Sequence, residues 1–305
     1  LLFKRTKDIS TGRAYDWYNV GKLRNSGFEF DLNVKLIQKK DWYWDMSVNG
    51  YTYANKMLNL PDEYKVSGMP NGNQRIYEGK DIYRWEMRQF AGLDEKGNSL
   101  WYMDRDLTDG EGNVVGVEKV TTGDATEATQ YLLEKSALPD FTGGLNTTLR
   151  WKSLDLTIMT NFQFGGYGYD YDFSAFSSAN FPMNRLKNYA DAWNPETGKG
   201  SAPIWNTNDS NINASSDRFL ISKTYFNLRN ITLGYTFPAN WMSKIGIKSV
   251  RVYFACDNVF FASKRKGYDP RTSMGGQGAT VALNSVDGTY YSPIRTTSVG
   301  LNINF

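Results

Sequence analysis

The sequence predicts an all-β protein whose strands form the wall of a transmembrane antiparallel β-barrel. Three observations carry this reading. Apolar and polar residues alternate with period two along much of the chain. Short and long connections alternate between the candidate strands. No convincing amphipathic helix of useful length is present beyond a short turn at Phe181–Trp193.

The strands follow in order. "LLFKRTKD" at the start reads as the last residues of a strand entering a loop. No signal peptide precedes it, so the chain is expected to be the C-terminal part of a longer protein. In "GFEFDLNVKLI", Phe28, Phe30, Leu32, Val34 and Leu36 fall on one face and Glu29, Asp31, Asn33 and Lys35 on the other. Trp42, Trp44, Met46 and Val48 alternate with Tyr43, Asp45, Ser47 and Asn49. The segments "DIYRWEMRQFAGLD" and "NSLWYM" are weaker. "FTGGLNTTLRW" repeats the pattern with Phe141, Leu145 and Leu149, and "SLDLTIMTNFQFG" with Leu154, Leu156, Ile158, Phe162 and Phe164. Ile231, Leu233, Tyr235 and Phe237 continue it, but Phe226 and Leu228 are out of phase, which predicts a bulge near Arg229–Asn230. Val250, Val252, Phe254 and Cys256 alternate with Arg251, Tyr253, Ala255 and Asp257. The last residues, "RTTSVGLNINF", form a strand that ends on Phe305. With the first residues and the weaker segments, the expected count is about ten strands.

The connections favour a barrel over a soluble sandwich. Short ones are expected at Gln38–Asp41, Asp94–Gly97, near Lys152 and at Pro238–Ile247; long ones span roughly 8–25, 58–81, 104–140, 166–221 and 262–293. Short periplasmic turns alternating with long outer loops are the plan of an outer-membrane barrel. The polar faces carry Glu29, Asp31, Lys35, Asp45, Asp155 and Arg251, more charge than a small dry core accepts. On this register Leu156, Ile158, Val252 and Leu301 meet lipid, and Asp155, Arg251 and Asn302 face the lumen. Trp42, Trp44, Trp151, Phe237 and Trp241 cluster at the short turns as an aromatic girdle.

Composition narrows the function. The net charge of +3 over 305 residues gives no footprint for nucleic acid. No apolar run of about 18 residues suits a transmembrane helix, a test that barrel strands escape. The chain has no His, which removes His-based nucleophile systems and the usual zinc sites. Neither a catalytic residue nor a cofactor is expected. Cys256 lies on the apolar face as packing. "DRDLTDGEGNVVG" offers Asp104, Asp106, Asp109, Glu111 and Asn113, whose oxygens could hold calcium; the spacing is not that of an EF-hand, and a solvated Gly-rich loop is the simpler reading. The 166–221 connection carries Tyr167, Tyr169, Tyr171, Phe173, Phe176, Phe181, Trp193 and Trp205. Its Tyr/Phe cluster could stack on sugar rings, cover a partner or extend a strand above the membrane.

Several ordered stretches then resemble one family: "NVGKLRNSGFEFDL", "YFNLRNITLGYTFP", "VRVYFACDNVFFASKRKGYDP" and "SPIRTTSVGLNINF". Their order and spacing resemble the C-terminal region of SusC/RagA-type TonB-dependent outer-membrane transporters, across nearly the whole chain. The resemblance implies a 22-stranded barrel in a Gram-negative outer membrane, with residues 1–305 supplying its last strands. It also implies a plug domain and a TonB-contacting segment, neither in this chain, and a SusD-like surface lipoprotein as lid. The cargo would be oligosaccharides or peptides. The terminal aromatic resembles the recognition strand of barrel assembly. A free-standing outer-membrane enzyme and a soluble glycan-binding module are the competing readings.

Overall fold

The computed structural model describes residues 2–19, 21–177, 187, 191–206, 209, 211–242, 246–264, 285–286 and 293–305. Strands β1 (Leu2–Thr6) and β2 (Tyr15–Asn19) pair as a hairpin, and the long strands β3 (Lys22–Gln38) and β4 (Trp42–Asn59) follow. The chain then runs through β5 (Met69–Asn71), β6 (Gln74–Ile76), β7 (Arg84–Arg88), β8 (Phe90–Leu93), β9 (Ser99–Thr108), β10 (Val114–Thr122) and β11 (Gln130–Ser136). It returns as β12 (Phe141–Trp151) and β13 (Leu154–Phe164), and leaves again through β14 (Tyr167–Asp170), helix α1 (Tyr171–Phe176) and β15 (Leu220–Ser222). The rest is β16 (Tyr225–Thr236), the short helix α2 (Ala239–Met242), β17 (Ser249–Ser263), β18 (Ser285–Val286) and β19 (Thr296–Asn304).

Seven strands form one antiparallel sheet in the order β19-β17-β16-β13-β12-β4-β3. Consecutive sheet strands are neighbours, as in an up-and-down meander. We call this sheet the wall. The expected bulge is present: pairing of β16 slips between Leu228 and Asn230 against both flanking strands, which puts Leu228 and Phe226 back on the apolar face.

The expectation of about ten wall strands is not met. Among the described residues the wall has seven, with β1 adjoining through its pairing to β2 just ahead of β3. The two weaker segments lie instead in β7, β8 and β9, which belong to separate sheets ordered β11-β7-β6-β5 and β10-β9-β8. The physical reason is visible at β7, where Trp85, Glu86 and Met87 are buried on both faces. A wall strand keeps one face for lipid, so it cannot bury consecutive residues this way. The turn at Asp94–Gly97 therefore joins two strands of the outer region and is not a periplasmic turn. From β3 onward the alternation survives as three short and three long connections. Residues 39–41, 152–153 and 237–248 are short, while 60–140, 165–224 and 264–295 are long.

The long connections 60–140 and 165–224 fold onto each other. One apolar cluster draws Trp85, Met87, Leu133 and Ala137 from the first and Tyr169 and Phe219 from the second. A second cluster, Met57, Leu60 and Ile76, fastens this loop domain to the outer end of β4. The turn expected at Phe181–Trp193 falls mostly outside the described residues. Among the described residues no helix is long and apolar enough to cross a membrane, which says nothing of β-strand spans.

Candidate functional site

The wall is two-faced, and register shows which residues share each face. Trp42, Trp151, Leu154, Tyr235, Val252 and Leu301 form one cross-strand row. Leu156, Leu233, Phe254 and Val299 form the next on that face, and Ile158, Ile231 and Cys256 a third. The expected pairing of faces thus holds for Leu156, Ile158, Val252 and Leu301. Leu233, Phe254, Val299 and Leu301 are exposed although apolar.

This face carries aromatic rings at both ends. Near the short turns Trp42 and Trp151 pair with centroids 5.7 Å apart, and Trp44 Nε1 donates to Thr147 Oγ1 at 2.8 Å. Toward the long connections Phe30, Phe141, Phe162 and Phe164 form a ladder with centroids 5.6–6.4 Å apart. Gly50 makes the ladder flat, because a Cβ there would overlap the Phe141 ring.

The opposite face is polar and internally bonded. Arg251 Nε donates to Asp155 Oδ1 at 3.0 Å, and its guanidinium lies 5.1 Å from the Tyr253 ring centroid. Asn302 is directly opposite Arg251, so the three residues expected in the lumen share this face. Gly234 and Gly300 leave room for Arg251 and Tyr253 to lie along the sheet. Further out, Asn227 Nδ2 donates to Asn161 Oδ1 at 2.7 Å.

The aromatics of the 166–221 connection separate into two groups. Tyr169 is buried, its ring 5.9 Å from Phe219, and Phe173 packs edge-on against Phe219 at 5.4 Å. Tyr167 and Phe176 are half-buried; the Tyr167 carbonyl accepts a bond from Trp85 Nε1 at 3.1 Å. Trp193 is half-buried over Gly97, where a Cβ would overlap the indole. These residues hold the loop domain together. Tyr171 and Trp205 present accessible rings, 51% and 45% exposed. Phe181 lies outside the described residues.

The sequence reading placed a short turn at Asp94–Gly97 and a Gly-rich loop around Asp109 but missed that the two repeat one motif. Asp94 in "DEKGN" accepts bonds from the backbone of Lys96 and Asn98 and from the Asn98 amide. Asp109 in "DGEGN" makes the same three bonds with Glu111 and Asn113. Gly97 and Gly112 follow with positive φ. Recurrence of D-x-x-G-N was the signal that β8, β9 and β10 are one meander. It also gives Asp109 a structural use: the backbone N–H of Asn113, first among its donors, holds its carboxyl below the usual range. Asp104 likewise accepts from the Tyr131 hydroxyl at 2.6 Å. Burial first, and this bond second, push Tyr131 up to about 12.

At the base of the loop domain Lys223 is buried, and desolvation lowers its amine to about 8. Where the domain meets the outer end of the β3–β4 hairpin, a cavity of about 560 Å³ is lined by Asp81, Arg84, Glu134 and Asp140, among others.

No family model matches the chain. Similarity to individual proteins covers almost all of it. TonB-dependent receptor P3 of Formosa agariphila is 26% identical over 326 residues, spanning 100% of this chain and 31% of that receptor. TonB-dependent receptor SusC of Bacteroides thetaiotaomicron is 26% identical over 294 residues, spanning 94% of this chain and 27% of SusC. The RagAB peptide transporter has the same fold, with a TM-score of 0.75 and 24% identity over 100% of this chain and 32% of that one. The RagAB importer in its "open-open" state gives a TM-score of 0.76. The chain thus spans less than a third of the length of these relatives.

Proposed function

We propose that this chain, a homologue of SusC-type TonB-dependent receptors, supplies barrel wall and outer loops to an importer of large nutrients in the outer membrane of a Gram-negative bacterium. One observation carries the reading: the wall exposes its large apolar side chains on one face and bonds its polar ones on the other. A soluble protein has no use for an exposed sheet face of this extent. The dimensions agree. Ten residues of β12 separate the Phe141 row from the Trp151 row. At about 3.4 Å per residue and a tilt of about 40°, they span roughly 25 Å, the height of a barrel's apolar band.

In this mechanism the chain performs no covalent chemistry. The apolar face holds the wall in lipid, and the polar face lines the lumen and meets a plug. The loop domain captures oligosaccharide or peptide cargo beneath a SusD-like lipoprotein lid. Energy reaches the plug through TonB. The named relatives are receptors and transporters, which supports transport over an enzyme.

Tyr171 and Trp205 are the residues of this loop best placed to meet the lid or cargo. Photo-cross-linkers at these positions in the native host are expected to capture the lipoprotein; capture of the plug alone would sink the docking role. For import itself, deletion of the gene should abolish uptake of one class of labelled oligosaccharide or peptide. Dissipating the proton-motive force should do the same. Undiminished uptake, or recovery of the protein outside the outer-membrane fraction, would overturn the reading.

A further inference from the structure

The apolar face of the wall is free of charge up to its outer aromatic row. No residue on that face is charged from Phe28 to Val34 on β3, from Trp42 to Ala54 on β4, or along β12 and β13. Beyond the row, β3 and β4 continue outward as a hairpin without β12. The first charges there are Arg24 and Lys56, which lie directly opposite each other. Both are exposed. The other face of the hairpin is occupied: Leu23 packs against the cluster of Met57, Leu60 and Ile76, and Asn55 Nδ2 donates to Asn25 Oδ1 at 2.6 Å. Arg24 and Lys56 therefore point away from the loop domain, on the continuation of the apolar face.

Their pairing inverts the rule followed elsewhere in the wall. On the polar face Lys35 lies across from Asp45 and Arg150 from Asp155, and Arg251 bonds Asp155. Like charges directly opposite destabilise a sheet ladder. Among the described residues neither Arg24 nor Lys56 has a carboxylate in ion-pair distance. Water screens this repulsion, and an anion seated between the two side chains reverses it. Depth agrees with one kind of anion. Phe28 lies level with Thr52, and four residues of β3 separate it from Arg24. At about 3.4 Å per residue and a tilt of about 40°, that is roughly 10 Å beyond the apolar band. Long cationic stems reach back over such a distance to the headgroup layer.

We propose that Arg24 and Lys56 bind the phosphate of an outer-leaflet lipid headgroup, whose acyl chains lie along Phe28, Phe30 and Phe141. Arg24 offers a planar fork for two phosphate oxygens and Lys56 a point charge. Ser26 and Ala54, the pair between the cations and Phe28, are small and exposed, so the headgroup can approach the backbone. The rings of Phe28, Phe30 and Phe141 follow with centroids 6.2 and 6.4 Å apart. The inference rests on the outer-membrane reading above and adds a specific lipid to it.

The test is native mass spectrometry of the intact transporter in detergent. It is titrated with monophosphoryl lipid A, or with the same lipid after enzymatic removal of its phosphate. Wild type should retain the phosphorylated lipid about tenfold better. Arg24→Gln with Lys56→Gln should erase the preference and leave retention of the dephosphorylated lipid unchanged. Arg24→Gln alone should lose part of it, and covers the case in which the double variant fails to assemble. Lys96→Gln, at an exposed position of the loop domain, should keep it in full. Equal retention of both lipids by wild type, no retention of either, a preference that survives both substitutions, or one that Lys96→Gln also erases would overturn the site. Excess inorganic phosphate should leave the lipid bound; displacement would mean a site for soluble anions and overturn the lipid assignment. A photo-cross-linker at Ser26 in native membranes should capture lipid, and capture of protein alone would overturn it too. Import that persists without a phosphate preference sinks the site alone. A phosphate preference in a protein that imports nothing sinks the import reading alone.

Discussion

The wall and the loop domain are both made of antiparallel strands, yet they place apolar side chains oppositely. Among the apolar residues fully buried in the described structure, only Met57 belongs to the seven-stranded sheet; the others, Trp85, Trp101 and Phe219 among them, lie in the loops. The wall keeps Phe28, Leu233, Phe254 and Leu301 exposed. The loop domain therefore has a hydrophobic core in the ordinary sense, formed by removing apolar surface from water. The wall has none, and on the proposed reading its stability depends on a lipid environment outside and hydrogen bonds inside. Period-two patterning alone does not distinguish the two regions, because a strand in either can alternate.

This contrast can be broken by substitution. Phe219→Ala should be the largest effect, costing about 3–5 kcal/mol of loop-domain stability. Hydrogen exchange should quicken in β7 and β11 while wall amides keep their protection; uniform loss would mean that the two regions unfold as one. Leu233→Lys, near the middle of the apolar face, should cost about 2–4 kcal/mol in a bilayer. Denaturant titration in vesicles measures it, and Val66→Lys at a 94% exposed loop position is the control expected to change little. Equal effects would refute a lipid-facing Leu233.

Lys223 sharpens the comparison through pH. Its folded amine titrates at about 8 and its unfolded one at 10.5, so the unfolded state binds more protons between those values. Stability of the loop domain should then rise as pH increases from about 8 to 10.5, by at most on the order of 3 kcal/mol. Below that window both states are protonated and the penalty is constant. Lys223→Met should flatten the slope in hydrogen exchange of β14 and β15, with the wall unaffected. The smallest expected effect is Gly97→Ala. A left-handed residue with a side chain costs about 1–2 kcal/mol, and this one would also displace Trp193. Trp193 fluorescence should shift with no change in wall assembly.

The wall was legible because its code is local. Leu156 against Asp155 and Val252 against Arg251 declare their faces by alternation, and the phase slip at Phe226 and Leu228 declared the bulge. The candidate site was legible only in part. Aromatic density marked the 166–221 connection, but nothing in "GGYGYDYDF" separates buried Tyr169 from accessible Tyr171, since that depends on where Phe219 arrives from fifty residues away in sequence. The strand count missed for a related reason. Trp85 and Met87 looked like a weak wall strand until partners were found for both faces.

The sequence by itself determined the class of structure, the two faces of the wall and the alternation of connections, because each follows from backbone geometry and the polarity of near neighbours. Tertiary structure alone decided three further things. It merged two long connections into one domain, aligned Phe30, Phe141 and Phe162 into a ladder, and set Glu134 and Asp140 in the same cavity. These depend on register and on contacts between residues far apart in the chain, and a one-dimensional pattern does not encode such distances.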